Sequence, residues 1–255
     1  MLSFFAILLA GCIILILVMF FCAMERRIVR HTIASSAWPS GKSHVTIFFI
    51  SDIHRRKLTE PFLRQIKEPL DAIIIGGDLT EKGVPIERTR DNLRALRTLN
   101  CPVFFVWGNN DYEIDQTVFG RLLAEEGIQK LKNEHCFLQE HVCLVGLDDA
   151  TGHRDNMKAA MPHRLNNMPF YTILISHNPG FQWDEVLKGK VSCVLTAHTH
   201  GGQIRFGRFG PYEHGGLSVQ NGFHWLQTNG YGTSLVPLRF GARPESHVLH
   251  FCRKK

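Results

Sequence analysis

Two aspartates, one asparagine and four histidines are the residues of this chain best suited to chemistry: Asp52, His54, Asp78, Asn109, His177, His198 and His200. Each cluster follows a short run rich in β-branched or aromatic residues: VTIFFI before Asp52, AIII before Asp78, VFFVW before Asn109, YTILI before His177 and VSCVL before His198. Asp52 and His54 are two positions apart, as are His198 and His200, so at a strand end each pair points to one face. An isolated Asp or Asn after a strand is usually a turn residue or a helix cap, and an isolated buried His is usually a hydrogen-bonded core residue. The whole set, ending successive strands on one edge, is instead the pattern of a metal site. Its donors are carboxylate, imidazole and amide, with no thiolate, which suits catalytic Mn, Fe or Zn better than a cysteine-rich structural zinc. Seven donors are too many for one ion with open positions. They suit two divalent ions about 4 Å apart that share a carboxylate.

The elements that must position these residues are legible in outline. Strands are expected at His44–Ile50, Ala72–Ile75, Val103–Trp107, Val142–Leu147, Tyr171–Ile175, Val191–Leu195 and His247–Phe251, and helices at Pro61–Leu70, Pro85–Leu99 and around Phe119–Glu126. Strands alternating with helices predict parallel strands joined by crossovers. Ligands of such sheets bind beyond the carboxyl ends of the strands, where the seven residues fall. The Gly-, Pro- and aromatic-rich stretch from Gly201 to Pro244 predicts hairpins and loops. No composition shift after Lys42 requires a second domain.

The segments SDIH, GGDLTEKG, GNND, SHNP and AHTHGGQI resemble, in order, the signature blocks of the calcineurin-like metallophosphoesterases. They run from Ser51 to Ile204, and the tail GTSLVPLRFGARPE is similar to a membrane-associated bacterial branch of that family. The resemblance implies an α/β fold, a four-layer αββα sandwich of two mixed β-sheets. It implies that Asp52, His54 and His200 hold one divalent metal, that Asn109, His177 and His198 hold a second, and that Asp78 bridges them. It further implies hydrolysis of a phosphodiester or pyrophosphate by a hydroxide between the metals. The substrate class extends to lipid-linked or nucleotide-linked phosphate esters.

One position departs from the family pattern. Asn110 stands where a histidine usually helps stabilise or protonate the leaving group. An amide donates a hydrogen bond but supplies no proton near neutral pH. Loss of a general acid costs about 10²- to 10⁴-fold on a poor leaving group. A metal-binding scaffold with little catalysis is therefore the alternative to an enzyme. Arg55, Arg56 and Lys57, which follow the first ligand pair, are candidates to bind phosphate or a headgroup.

The chain has 255 residues and a formal net charge of +6. Its ordinary apolar and charged fractions exclude wholesale disorder. The modest basic excess fits an anionic partner without indicating nucleic acid. Residues Leu2–Met24 carry no charge and as a helix would span roughly 35 Å, enough for a ~30 Å hydrocarbon core. The run is too long, and too bare of basic residues before it, for a cleaved signal peptide. The division expected is a transmembrane anchor at 1–24, a linker at 25–43 and a metallophosphoesterase domain at 44–255. Arg26, Arg27 and Arg30 crowd the C-terminal side of the anchor and predict a single-pass protein with a cytoplasmic catalytic domain. Cys101, Cys136, Cys143, Cys193 and Cys252 form an odd set without a CxxC pair, as expected of free thiols in a reducing compartment.

Overall fold

The computed structural model describes residues 2–41, 43–162, 170–220 and 222–254. Helix α1 (Leu2–Met24) is followed almost at once by β1 (Arg27–Ser35). The remaining strands are β2 (Val45–Ile50), β3 (Ala72–Ile75), β4 (Val103–Phe105), β5 (Gln129–Lys130), β6 (Glu134–Gln139), β7 (Val142–Gly146), β8 (Tyr171–Ile175), β9 (Cys193–Thr196), β10 (Gly216–Gln220), β11 (Phe223–Gln227) and β12 (Glu245–Arg253). Among the described residues they form two six-stranded sheets, ordered β1-β12-β2-β3-β4-β5 and β10-β11-β9-β8-β7-β6. Both are mixed. In the first, β12 runs antiparallel to β2 while β2, β3, β4 and β5 are parallel. In the second, β7, β8, β9 and β11 are parallel and antiparallel strands close the two edges.

Period-two alternation creates the layers. In β2, Ile47 and Phe49 point between the sheets while Phe48 and Ile50 point outward. In β8, Ile173 and Ile175 point between the sheets while Leu174 points to the other outer face. Strands that bury both faces must be apolar throughout, and VTIFFI, AIII and YTILI are nearly so. Helices α2 (Glu60–Leu63), α3 (Ile86–Arg97) and α4 (Gln116–Glu125) cover the first sheet through Phe62, Leu93, Leu96, Phe119 and Leu122. α5 (Met157–Ala160), with Phe181 and Trp183, covers the second. The α/β sandwich expected from the sequence is therefore present.

The expected linker is not a linker throughout. Residues 27–35 pair in parallel with β12 over nine positions, from Arg27↔Glu245 to Ser35↔Arg253. The β-branched residues Ile28, Val29, Thr32 and Ile33 favour the strand, but as an edge strand it buries only Ile33 fully, so its pattern reads as polar. The expected helix at 61–70 shortens to a single turn. Glu68 precedes Pro69, which biases it away from helical geometry, and Ile66 reaches the core from a turn instead. The cysteines of the domain are free, with Cys143 and Cys193 buried.

Candidate metal centre

The carboxyl ends of β2, β3, β4, β8 and β9 converge, and the turn after each delivers part of the site. Asp52, His54, Asp78, His198 and His200 all have left-handed backbones, with φ of 52°, 52°, 50°, 72° and 51°. Each such non-glycine residue costs on the order of 1–3 kcal/mol and persists only where its surroundings over-determine it. The surroundings here are backbone hydrogen bonds between turns. Asp52 N donates to Gly77 O (3.0 Å), Ile53 N to Asp78 O (2.8 Å), Tyr231 N to Ser51 O (3.0 Å) and Gly232 N to Asp52 O (2.6 Å). Beneath them Asp111, fully buried, accepts from the backbone N–H of Asp78 (2.8 Å), Thr80 (3.1 Å) and Gly108 (2.9 Å). Glycine is required where these turns touch. A Cβ on Gly77 would lie 2.6 Å from the His177 ring, and one on Gly108 would lie 2.3 Å from Asp78 Oδ1.

The donors form two clusters, Asp52–His54–His200 and Asp78–His177–His198, each with its ligand atoms within 4.8 Å of one another. His54 Nε2 lies 3.2 Å from His200 Nε2, and His177 Nε2 lies 3.2 Å from His198 Nδ1. Asp78 Oδ2 joins the clusters, 3.2 Å from His177 Nε2 and 3.7 Å from His54 Nε2. Asn109 Oδ1, at the turn after β4, is buried without a hydrogen-bond partner among the described residues. An orphaned buried oxygen is costly, and ring nitrogens converging beside carboxylates are suited to share a cation. All seven residues thus fit the chemistry of two bound divalent cations.

Supporting contacts orient the ligands. His177 Nδ1 donates to Gly76 O at 2.9 Å, which turns Nε2 toward Asp78. His54 Nδ1 lies 2.9 Å from Glu81 Oε2, and Ser51 Oγ donates to Asp52 Oδ2 at 2.6 Å. Asn110 donates twice to Asp78, from its backbone N to Oδ1 (2.8 Å) and from Nδ2 to Oδ2 (2.7 Å). Burial pushes the Asp78 carboxyl up, but the charge and hydrogen bond of His177, then His54 and Asn110, outweigh it and hold it below the usual carboxylate range. Burial drives His200 down to about 3, opposed by Asp52 and reinforced by the Arg239 guanidinium, whose Nη2 lies 2.8 Å from His200 Nδ1.

Glu81 and Arg239 are contributors whose roles the sequence did not disclose. Glu81 lies three residues beyond Asp78 in GGDLTEKG, and no spacing rule distinguishes it from a surface acid. Arg239 is fully buried, and it donates to the carbonyls of Gly232 (2.6 Å from Nη2) and Ala242 (3.1 Å from Nη1). It latches loops behind His200 and does not face solvent.

Of the three basic residues after His54, Arg55 is exposed and paired with Glu81, the partner of His54. Arg56 is committed elsewhere. Its guanidinium stacks 4.4 Å from the Tyr231 ring centroid and donates to the carbonyls of Met24 (2.6 Å), Glu25 and Tyr231. Lys57 joins both in a pocket at the foot of α1, separate from the cleft that contains His198 and His200.

The sequence profile of the calcineurin-like phosphoesterases matches residues 45–202, the span that carries all seven candidate ligands. The uncharacterized protein YpbG of Bacillus subtilis (strain 168) is 37% identical over 238 residues, covering 92% of this chain and 91% of that protein. Phosphodiesterase YaeI of Escherichia coli (strain K12) is 26% identical, covering 87% of each. A transmembrane protein with metallophosphoesterase domain from Bos taurus is 27% identical over 81% of this chain and 53% of its own length. With its candidate metal clusters at the strand ends, the chain belongs to the calcineurin-like phosphoesterase family and is a metallophosphoesterase hydrolase.

Proposed function

We propose that this protein hydrolyses phosphodiester or phosphoanhydride bonds at a membrane surface, with two divalent metal ions (Mn, Fe or Zn) as cofactors. The single observation that carries the reading is Asp78 Oδ2, within 3.7 Å of ring nitrogens from both clusters. In this assignment Asp52, His54 and His200 hold one ion, Asn109, His177 and His198 the other, and Asp78 both. Such a pair of ions lowers the pKa of a water nucleophile and neutralises charge on the phosphoryl oxygens. The residues of the chain do the rest. Gly76 O and Glu81 orient His177 and His54, Arg239 disfavours protonation of His200, and Asn110 fixes the rotamer of Asp78 while offering no proton to a leaving oxygen.

The membrane part of the proposal rests on α1 being retained. Its C-terminal turns are built into the domain: Met19 and Ala23 are buried, Arg239 N donates to Met19 O at 3.0 Å, and Arg56 holds Met24 O. A cleaved leader has no need of such contacts. Arg26, Arg27 and Arg30 favour a cytoplasmic domain, which protease added to intact cells would leave whole.

The test is a substrate panel with the full-length protein in detergent: bis(p-nitrophenyl) phosphate, p-nitrophenyl phosphate and a dinucleoside pyrophosphate, each with Mn, Zn or Fe, alongside measured metal content. Turnover of the diester or pyrophosphate with two ions bound is expected. Two bound ions with no turnover on any of the three would favour the metal-binding scaffold.

A further inference from the structure

We infer that the turn carrying Leu235 and Val236 inserts into the bilayer beside α1, so that the cleft holding His198 and His200 opens at the lipid surface. This rests on the reading of α1 as a retained membrane span.

The first observation fixes depth. Arg239 N meets Met19 O, and Met19 lies five residues before the end of α1. At about 1.5 Å per residue, the 232–240 loop therefore touches the helix roughly 7 Å before its end. If α1 spans the membrane, with Arg26 and Arg27 in the headgroups, that level is the boundary between headgroups and acyl chains. Amphipathic surfaces that lie on membranes bury their apolar side to a similar depth, about 5–10 Å.

The second observation is that this same loop presents an apolar tip. Leu235 is fully exposed (101%) and Val236 is 45% exposed. Leu235 is also held in a left-handed backbone, φ 60°, which is unfavourable for a leucine. The tip is clamped in this form by one side chain. Gln203 Nε2 donates to Ser234 O (2.9 Å) and Val236 O (3.1 Å), while its Oε1 accepts from Ser234 N (2.8 Å). A strained, clamped leucine whose side chain is fully exposed is a built feature. Next to it, Phe206 packs against Phe240 with ring centroids 5.0 Å apart and planes tilted by 44°, and Phe206, Phe209 and Tyr212 are exposed.

Charge is complementary to a lipid surface. The pocket of about 320 Å³ at the foot of α1 brings Arg26 and Lys57, with the Glu81-paired Arg55, together with Ala23, Met24, Thr233 and Pro237. Basic residues at this level are attracted to anionic headgroups. Apolar tip and basic pocket flank the same helix end, which selects an anionic bilayer as the occupant of this face.

The consequence for catalysis follows from the second cleft, about 280 Å³, lined by His198, His200, Pro211, Tyr212, Ser234 and Leu235. The leucine that enters the lipid is also the lip of the metal cleft. A phosphoester at headgroup level would reach the metals without leaving the membrane, so the substrate class is a membrane-resident phosphoester.

The full-length protein, reconstituted in vesicles of phosphatidylcholine and phosphatidylglycerol, tests this with a photoreactive benzoylphenylalanine at position 235, at 209 or, as control, at Phe137. Phe137 is 50% exposed on β6, at the far edge of the second sheet. After illumination, mass spectrometry is expected to find lipid adducts at 235 and 209 in several-fold higher yield than at 137. Equal yields at the three positions, or adducts at 235 to protein alone, would overturn the proposal. The readout needs neither metal nor turnover. Lipid adducts on a protein inactive toward the substrate panel would support docking and count only against the phosphoesterase reading; an active protein without lipid adducts would sink only the docking.

Discussion

Asn110 Nδ2 donates to Asp78 Oδ2 at 2.7 Å, and the oxygen it holds is the one that faces both histidine clusters. The position at which the family usually carries a histidine is thus used here to fix the carboxylate between the two clusters. Asp78 is enclosed on its other side by Gly108, which leaves room for no side chain. One oxygen, Oδ1, accepts the Asn110 N–H while the other receives the amide, so the carboxylate is gripped at both ends.

Asp78→Asn should therefore be severe although it is nearly isosteric. The new amide can accept at one atom only, so one of the two Asn110 donors would meet another N–H. It also removes the negative charge that two cations would share. Loss of a partner behind a metal ligand costs about 10- to 100-fold in metal affinity or activity, and loss of a shared ligand should exceed that. We expect diesterase activity to fall more than about 10²-fold and metal content to drop below that of the native protein. Normal turnover with full metal content in Asp78→Asn would show that the bridge is elsewhere.

Glu81 offers a finer test, because it touches a ligand without facing both clusters. Its Oε2 sits 2.9 Å from His54 Nδ1 and raises the basicity of that ring against the effect of burial. Glu81→Gln keeps a hydrogen-bonding oxygen but loses the charge. Metal affinity, from activity titrated with free metal, is expected to weaken about 10- to 100-fold while the rate at saturating metal changes less. A reduced saturating rate with unchanged affinity would instead place Glu81 in the chemical step.

The histidines and aspartates of the centre were legible because they end runs of buried strand, a pattern local in the chain. VTIFFI and YTILI point to strands by residue type alone, and the polar turns after them follow by position. What escaped is non-local. β1 gains its identity from nine pairings with β12, more than two hundred residues away, and exposes most of its side chains. Nothing near Arg239 in sequence shows that it is sealed behind His200. The partition of the six His and Asp ligands into two triads was legible only through the family resemblance; in space it is a property of how the two sheets meet.

A pH effect is expected away from the metals. Burial, with His31 and Arg27 nearby, pushes the His247 ring down to about 3, and its Nε2 lies 2.8 Å from Thr228 Oγ1. The folded protein keeps this ring neutral while the unfolded chain protonates it near its ordinary 6.5. Between those values the unfolded state binds more protons, so stability is lost as pH falls from about 6.5 toward 3. At pH 5 the ring accounts for roughly 2 kcal/mol. Thermal unfolding of the metal-loaded protein at pH 7.5 and pH 5 measures this against His247→Gln, which cannot titrate. The native protein should lose more stability over that interval than the variant; equal losses would mean the ring is already charged when folded.

Leaving-group dependence is the sharpest consequence of Asn110. A general acid flattens the dependence of rate on leaving-group basicity, because the transferred proton neutralises the departing oxygen. Asn110 has no proton to give, and its amide is already committed to Asp78. Basic alkoxide leaving groups should therefore be slow, and aryl or phosphoanhydride leaving groups fast. Asn110→His restores a titratable group at the cost of one hydrogen bond to Asp78. We expect it to improve alkyl substrates by up to about 10²-fold relative to aryl ones, within the range general acids supply. The measurement is kcat/KM across a series of diesters of graded leaving-group pKa, for both forms, at fixed pH and saturating metal. A steep slope in the native enzyme that flattens in Asn110→His is the expected result. A native slope that is already flat, and unmoved by the substitution, would mean that another group delivers the proton. His153, His214 and His224 are then the residues to replace, beginning with His214, which lies two residues beyond Tyr212 at the mouth of the cleft.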